Sequence, residues 1–288
     1  MSASSLFRFV QVELPWALGP PDGRYLVRAA DDTGAPPTHV LVFATLGAPE
    51  RRRLAARRRQ RDAEAEPEPV PVATGRATVI DVGAPISGAE AEAEAWLAGA
   101  GEDDLQAALA VLNRALHSFR VITADPYLQP VGRGQTLVAR IGFGAGEEVA
   151  EGRWSAAKEL TMPEGRRRRA RILAPQARLA ALLGSRESAL VCEELTLRAR
   201  SDLDHGRPRE AALQLLVALD AALAELTADA HAAELAGRLE ELRGQRAPVA
   251  GAAQAALSGP LSTANTDAVT FALGRVEAAL RARAAAGA

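Results

Sequence analysis

The hydrophobic positions of this chain recur at two spacings, every second residue in much of the first half and every third or fourth in the second. From Leu6 to Leu14 they alternate, with Val10, Val12 and Leu14 on one side and Phe7 and Phe9 on the other, which predicts a strand closed by Pro15. A Gly-Pro-Pro-Asp-Gly turn at 19–23 leads to a second strand, Arg24 to Ala29, and a turn at Asp31 to Pro37 leads to a third, His39 to Thr45. Connections this short favour an antiparallel meander. Ala77 to Val82 and Gln135 to Phe143 read as further strands.

Between those last two the spacing becomes helical. Ser87 begins an Ala- and Glu-rich helix that ends near Gly99. From Asp103 to Arg120 a longer one carries Leu105, Leu109, Leu112, Leu116 and Phe119 as one core-facing stripe. Helical crossovers into the last strand predict a mixed sheet. A further helix is expected beyond Gly142, Gly144 and Gly146, holding Val149, Trp154, Ala157 and Leu160. Those glycines are spaced G-x-G-x-G, and Glu147 and Glu148 in the first turn would repel a phosphate, so they read as a structural turn.

After Pro175 the pattern is helical throughout. Gln176 to Leu183 is a short helix; Ser185 is the expected N-cap of a second, with Cys192, Leu195, Ala199 and Leu203 on its apolar stripe. Gly206 stops that helix and Pro208 restarts the winding, which makes an antiparallel hairpin. Ala230 to Arg243 and a last helix capped near Thr266, with Val269, Leu273, Val276 and Leu280 inward, complete the set. The run from Glu194 through Ala199, Asp202, Gly206-Arg207 and Glu210-Ala211 resembles a single tetratricopeptide-type hairpin, a family whose units stack into peptide-binding surfaces. No second copy recurs at that period.

The expected fold is therefore α+β: an N-terminal mixed, largely antiparallel sheet of about five strands with helices, then an all-helical domain. The domains are placed at 1–162 and 176–288, joined by an arginine-rich connection at 163–175. Residues 50–75 form an insertion too poor in apolar side chains to order by burial.

Composition adds three points. The 34 basic and 36 acidic residues nearly cancel, so no global field directs the chain to nucleic acid or to an anionic membrane. Every basic residue but Lys158 is arginine, and asparagine occurs only at Asn113 and Asn265, a bias expected of a high-GC, bacterial genome. The single cysteine, Cys192, sits on an apolar stripe as a buried thiol; with no secretory segment and no membrane-length apolar run, the expected location is cytoplasmic.

Candidate chemistry is sparse. No metal-ligand array, phosphate loop, nucleophile elbow or cofactor motif is present, and no catalytic residue is assigned. His39, alone at a strand edge, and His205 and His231, at helix ends, read as structural. The leading expectation is a non-catalytic interaction or adaptor protein that binds a protein partner, or itself, through the helical domain. The second is contact with nucleic-acid phosphates through Arg51, Arg52, Arg53, Arg57, Arg58, Arg59 and Arg61, and through Arg166, Arg167, Arg168, Arg169 and Arg171. The third is an enzyme or small-molecule site near His117: Asn113, His117 and Arg120 form a polar line on the long helix, and Asp125 and Tyr127 follow in the turn beyond it.

Overall fold

A computed structural model describes residues 5–29, 34–47, 73–86, 90–161, 175–229 and 231–286. The chain divides into two compact units, Met1–Pro163 and Glu164–Ala288.

The first unit is built on a 6-stranded sheet in the order β2-β3-β4-β1-β5-β6. Its strands are β1 (Leu6–Leu14), β2 (Gly23–Val27), β3 (His39–Leu46), β4 (Thr74–Ile86), β5 (Val138–Ala145) and β6 (Ala156–Glu159). Every pairing is antiparallel. No parallel pair arises because the helical crossover from β4 to β5, made by α1 (Glu90–Gly99) and α2 (Glu102–Thr123), passes over β1 and leaves that strand between them.

The sixth strand stands where the sequence predicts helix. Gly146–Glu151 is a short 3-10 turn, ended by Gly152 in the left-handed region (φ 88°), and Ala156–Glu159 then pairs with β5. Gly144 and Gly142 are required by the return of this segment. A Cβ on Gly144 would lie 2.7 Å from the Val149 side chain, and one on Gly142 would overlap the Ala156 carbonyl of β6. The glycines are thus a packing device, as the sequence suggests, and Trp154 stacks on Phe9 with ring centroids 5.5 Å apart.

Alternation of β1 sends Val10, Val12 and Leu14 towards α2, whose Leu105, Leu109, Leu112 and Leu116 complete the main core with Leu41, Val79 and Ile141. Each such side chain contributes roughly 1.5–3 kcal/mol when fully buried. The opposite face holds a smaller apolar cluster of Phe9, Val40, Ile80 and Val149. Beyond it runs a ladder of charges: Arg76 of β4 donates to Glu13 of β1, and Arg140 of β5 bridges Glu13 and Glu159 of β6. Burial pushes the Glu13 carboxyl up, but hydrogen bonds and charge from Arg76 and Arg140 outweigh it and hold it below its ordinary range.

The second unit contains α3 (Pro175–Leu183), α4 (Val191–Asp204), α5 (Pro208–Thr227), α6 (Ala236–Ser258) and α7 (Thr263–Ala286). Helices α4 to α7 pack each on the next, and α4 closes on α7, giving a four-helix bundle around Ala199, Leu215, Leu219, Leu242, Val249, Leu273 and Val276. Arg200 seals the closure with two hydrogen bonds to Glu277, at 2.7 and 3.0 Å.

Helix ends differ from the sequence reading for identifiable reasons. Ser185 is not the N-cap of α4; the cap residue is Leu190, and the amides of Val191 and Cys192 donate to the Glu225 carboxylate of α5, both at 2.9 Å. Helix α6 begins later than expected and runs through Pro248. An interior proline costs about 3 kcal/mol, yet Val249, Ala252, Ala253 and Ala256 continue the buried stripe begun by Leu239 and Leu242, and their burial carries the helix on. Helix α7 starts at Thr263, before Thr266, with the Ser262 hydroxyl accepting from the Asn265 amide at 3.2 Å.

Candidate functional site

In the first unit α2 packs over β4 and β1, in the middle of the sheet, while β2 is, among the described residues, one of its two edges. The space between that edge and the C-terminal half of α2 is a cleft of about 630 Å³. Its floor is Tyr25, Val27 and Phe43; its wall is Arg114, Ala115, Ser118, Phe119 and Ile122; Pro20 and Pro21 close one side. Cross-strand pairing of Tyr25 with Leu41 and of Gly23 with Phe43 sets the floor's register, and Tyr25 and Phe43 meet edge to face at 5.6 Å. The Tyr25 hydroxyl donates to the Pro21 carbonyl at 2.8 Å and fixes the turn before β2. Gly19 (φ 100°) lets that turn approach Phe119, since a Cβ there would lie 3.4 Å from the ring.

Arg28 and Arg114 also line the cleft. Arg114 donates to the Arg28 carbonyl at 2.6 Å and Arg28 to the Ala35 carbonyl at 2.9 Å, and among the described residues neither forms an ion pair with a carboxylate. The cleft therefore joins apolar surface, two guanidinium groups and an exposed strand edge, and its volume lies in the ordinary range for ligand sites, about 300–1,000 Å³. Sequence reasoning missed these residues. One signal for them exists: Ile122 is apolar but lies off the α2 stripe, and it is exposed.

The polar line on α2 has a different disposition. Asn113 is buried and committed to the backbone of Val131, donating to its carbonyl at 2.9 Å and accepting from its amide at 2.7 Å. The turn after α2 folds back through its backbone, with Asp125 N donating to Arg120 O at 3.1 Å and Ala124 in the left-handed conformation. The Asp125 carboxylate accepts from the Tyr127 amide at 2.9 Å, and the Tyr127 ring is 87% exposed. Asp125 and Tyr127 share a second cavity, about 290 Å³, with Trp16, Leu116 and Gln135, while half-buried His117 and Arg120 do not line it. The five residues are thus divided between a structural staple, a turn and a helix surface.

The arginine segments at 51–61 and 166–171 lie outside the described residues, as do the insertion up to residue 72 and the interdomain connection up to residue 174; the expected bounds run too far at both C-terminal ends, since Thr74 and Gly75 already belong to β4 and Pro175 opens α3. Cys192 is fully buried, and burial followed by the neighbouring Glu225 carboxylate pushes its thiol far up. Among the described residues no group of His, Cys, Asp and Glu is arranged to hold a metal ion, and no helix is long and apolar enough to cross a membrane. Comparison with protein-family models, with curated proteins and with solved structures finds no match to this chain.

Proposed function

We propose that this chain is a cytoplasmic, non-catalytic interaction protein that receives an extended, apolar, acid-bearing segment of a partner protein alongside β2. The observation that carries the reading is the cleft between the sheet edge and α2. An edge strand offers backbone donors and acceptors at a fixed spacing, so an incoming extended segment gains main-chain hydrogen bonds while alternate side chains drop towards Tyr25, Val27, Phe43 and Phe119. Arg28 and Arg114 favour a segment that ends in, or carries, a carboxylate.

The expectation from the sequence is partner binding or self-association through the helical domain. In the bundle, however, the inner faces of α4 and α5 are consumed by α6 and α7, which leaves the cleft as the better-formed receptor. The test is selection of peptides from a random library on the full chain and on Ser118→Trp, which fills the cleft from an exposed position of α2. Apolar, acid-bearing peptides should enrich on the first and not on the second; equal enrichment on both would end this reading.

Phosphate binding by the arginine segments is the competing proposal. It requires affinity for DNA or RNA that falls steeply with salt and ignores sequence, because each neutralised phosphate releases counterions.

A further inference from the structure

At the other end of α2 lies a separate cavity of about 130 Å³, lined by Arg8, His39, Asp81, Trp96, Asp104, Ala107 and neighbouring apolar residues. Three of its polar groups come from one row of the sheet, Arg8 of β1 standing opposite Asp81 of β4 and Asp81 opposite His39 of β3, and Asp104 comes from the first turn of α2. Asp81 sits where the β1–β4 register shifts, an irregularity of the kind that re-aims side chains beside functional sites.

Arg8 and Asp81 are cross-strand neighbours of opposite charge, yet they form no ion pair with each other. The Arg8 guanidinium instead lies against the Trp96 ring, 5.3 Å from its centroid, and its Nε is buried without a hydrogen-bond partner. The Arg8 charge thus has no carboxylate partner among the described residues, and its Nε is an unmatched donor. The two carboxylates are each anchored through one oxygen. Asp81 Oδ1 accepts from the amides of Gly83 and Ala84, at 3.1 and 3.2 Å, and Asp104 Oδ2 from that of Gly101, at 2.8 Å; among the described residues the other oxygen of each accepts no hydrogen bond. Burial lowers the His39 pKa, with Asp81 opposing and Arg114 adding to it, which favours the neutral ring in the cavity lining.

We propose that this cavity binds a small zwitterion of the α-amino-acid class, its carboxylate on Arg8 and its ammonium between Asp81 and Asp104 under the Trp96 ring. A simple anion would meet two carboxylates, and a simple cation would leave Arg8 unmatched and add to its charge; only a ligand bearing both signs satisfies all three groups. At about 130 Å³ the cavity holds several waters and has room for a short amino acid.

Titration calorimetry on the full chain tests this with glycine, L-alanine and L-serine as probes, and with acetate and methylammonium as the two half-ligands. At least one zwitterion should bind with millimolar affinity or better, and each half-ligand at least about tenfold more weakly. Arg8→Gln should abolish binding, as should Ala107→Leu, which fills the cavity from an exposed helix position and spares the fold even where Arg8→Gln does not. The proposal is overturned if no zwitterion binds at millimolar concentration, if a half-ligand binds as tightly as the zwitterion, or if a folded Ala107→Leu chain binds like the parent.

Discussion

The carboxamide of Asn113 and the backbone of Val131 exchange two hydrogen bonds, at 2.9 and 2.7 Å, inside the core between α2 and the loop that leads to β5. Both residues are 3% exposed. Asn113→Ala therefore leaves a buried amide and a buried carbonyl without partners, each costing about 1–3 kcal/mol. Denaturant unfolding should show a loss of roughly 2–6 kcal/mol with an unchanged slope. A loss below about 0.5 kcal/mol would mean that water or another side chain replaces the carboxamide.

Two glycines should respond in opposite directions to the same substitution. Gly142→Ala drives a methyl group into Ala157 and Phe9, each 2.8 Å from the Cβ position, and should destabilise by about 1–3 kcal/mol as β6 is displaced. Gly251→Ala meets nothing within 4 Å in the interior of α6 and should stabilise by about 0.5–1 kcal/mol. Thermal melts of the two variants decide both signs.

Acid stability of the bundle should depend on Asp229. A hydrogen bond from Arg283 at 2.6 Å, followed by the His231 amide at 2.9 Å, lowers its carboxyl from the ordinary 3.8 to about 2. Because the folded-state value is depressed, its stabilisation is fully present above about pH 4 and disappears as pH falls through about 2. Helical melts across that window should show a falling midpoint in the parent. Asp229→Asn should be less stable at neutral pH and should flatten that acid dependence; an undiminished acid slope would assign it to other carboxylates.

Much of the fold was legible because its signals are local. The Leu105 to Leu116 stripe marks α2, the β1 alternation marks the central strand, and Gly206 with Pro208 marks the turn between α4 and α5. The elements that escaped depend on distant partners. The start of α4 is capped by Glu225, 33 residues from Cys192; β6 is too short and polar to alternate visibly and exists by pairing with β5; α6 passes Pro248 because the bundle buries Val249, Ala252 and Ala256 beyond it. The cleft was hidden for a related reason. No motif encodes it, since it arises where a helix stripe of limited width leaves one end of a wide sheet uncovered, and only topology reveals that β2 is an edge.

The most direct test of the central claim is hydrogen exchange of the full chain with and without the peptides that the library enriches. If a partner segment adds to the sheet, exchange should slow at the β2 amides, Gly23–Val27, and along the cleft-lining end of α2 from Arg114 to Ile122. Unchanged exchange at β2, or slowing confined to α4 through α7, would contradict the account and return partner binding to the helical unit.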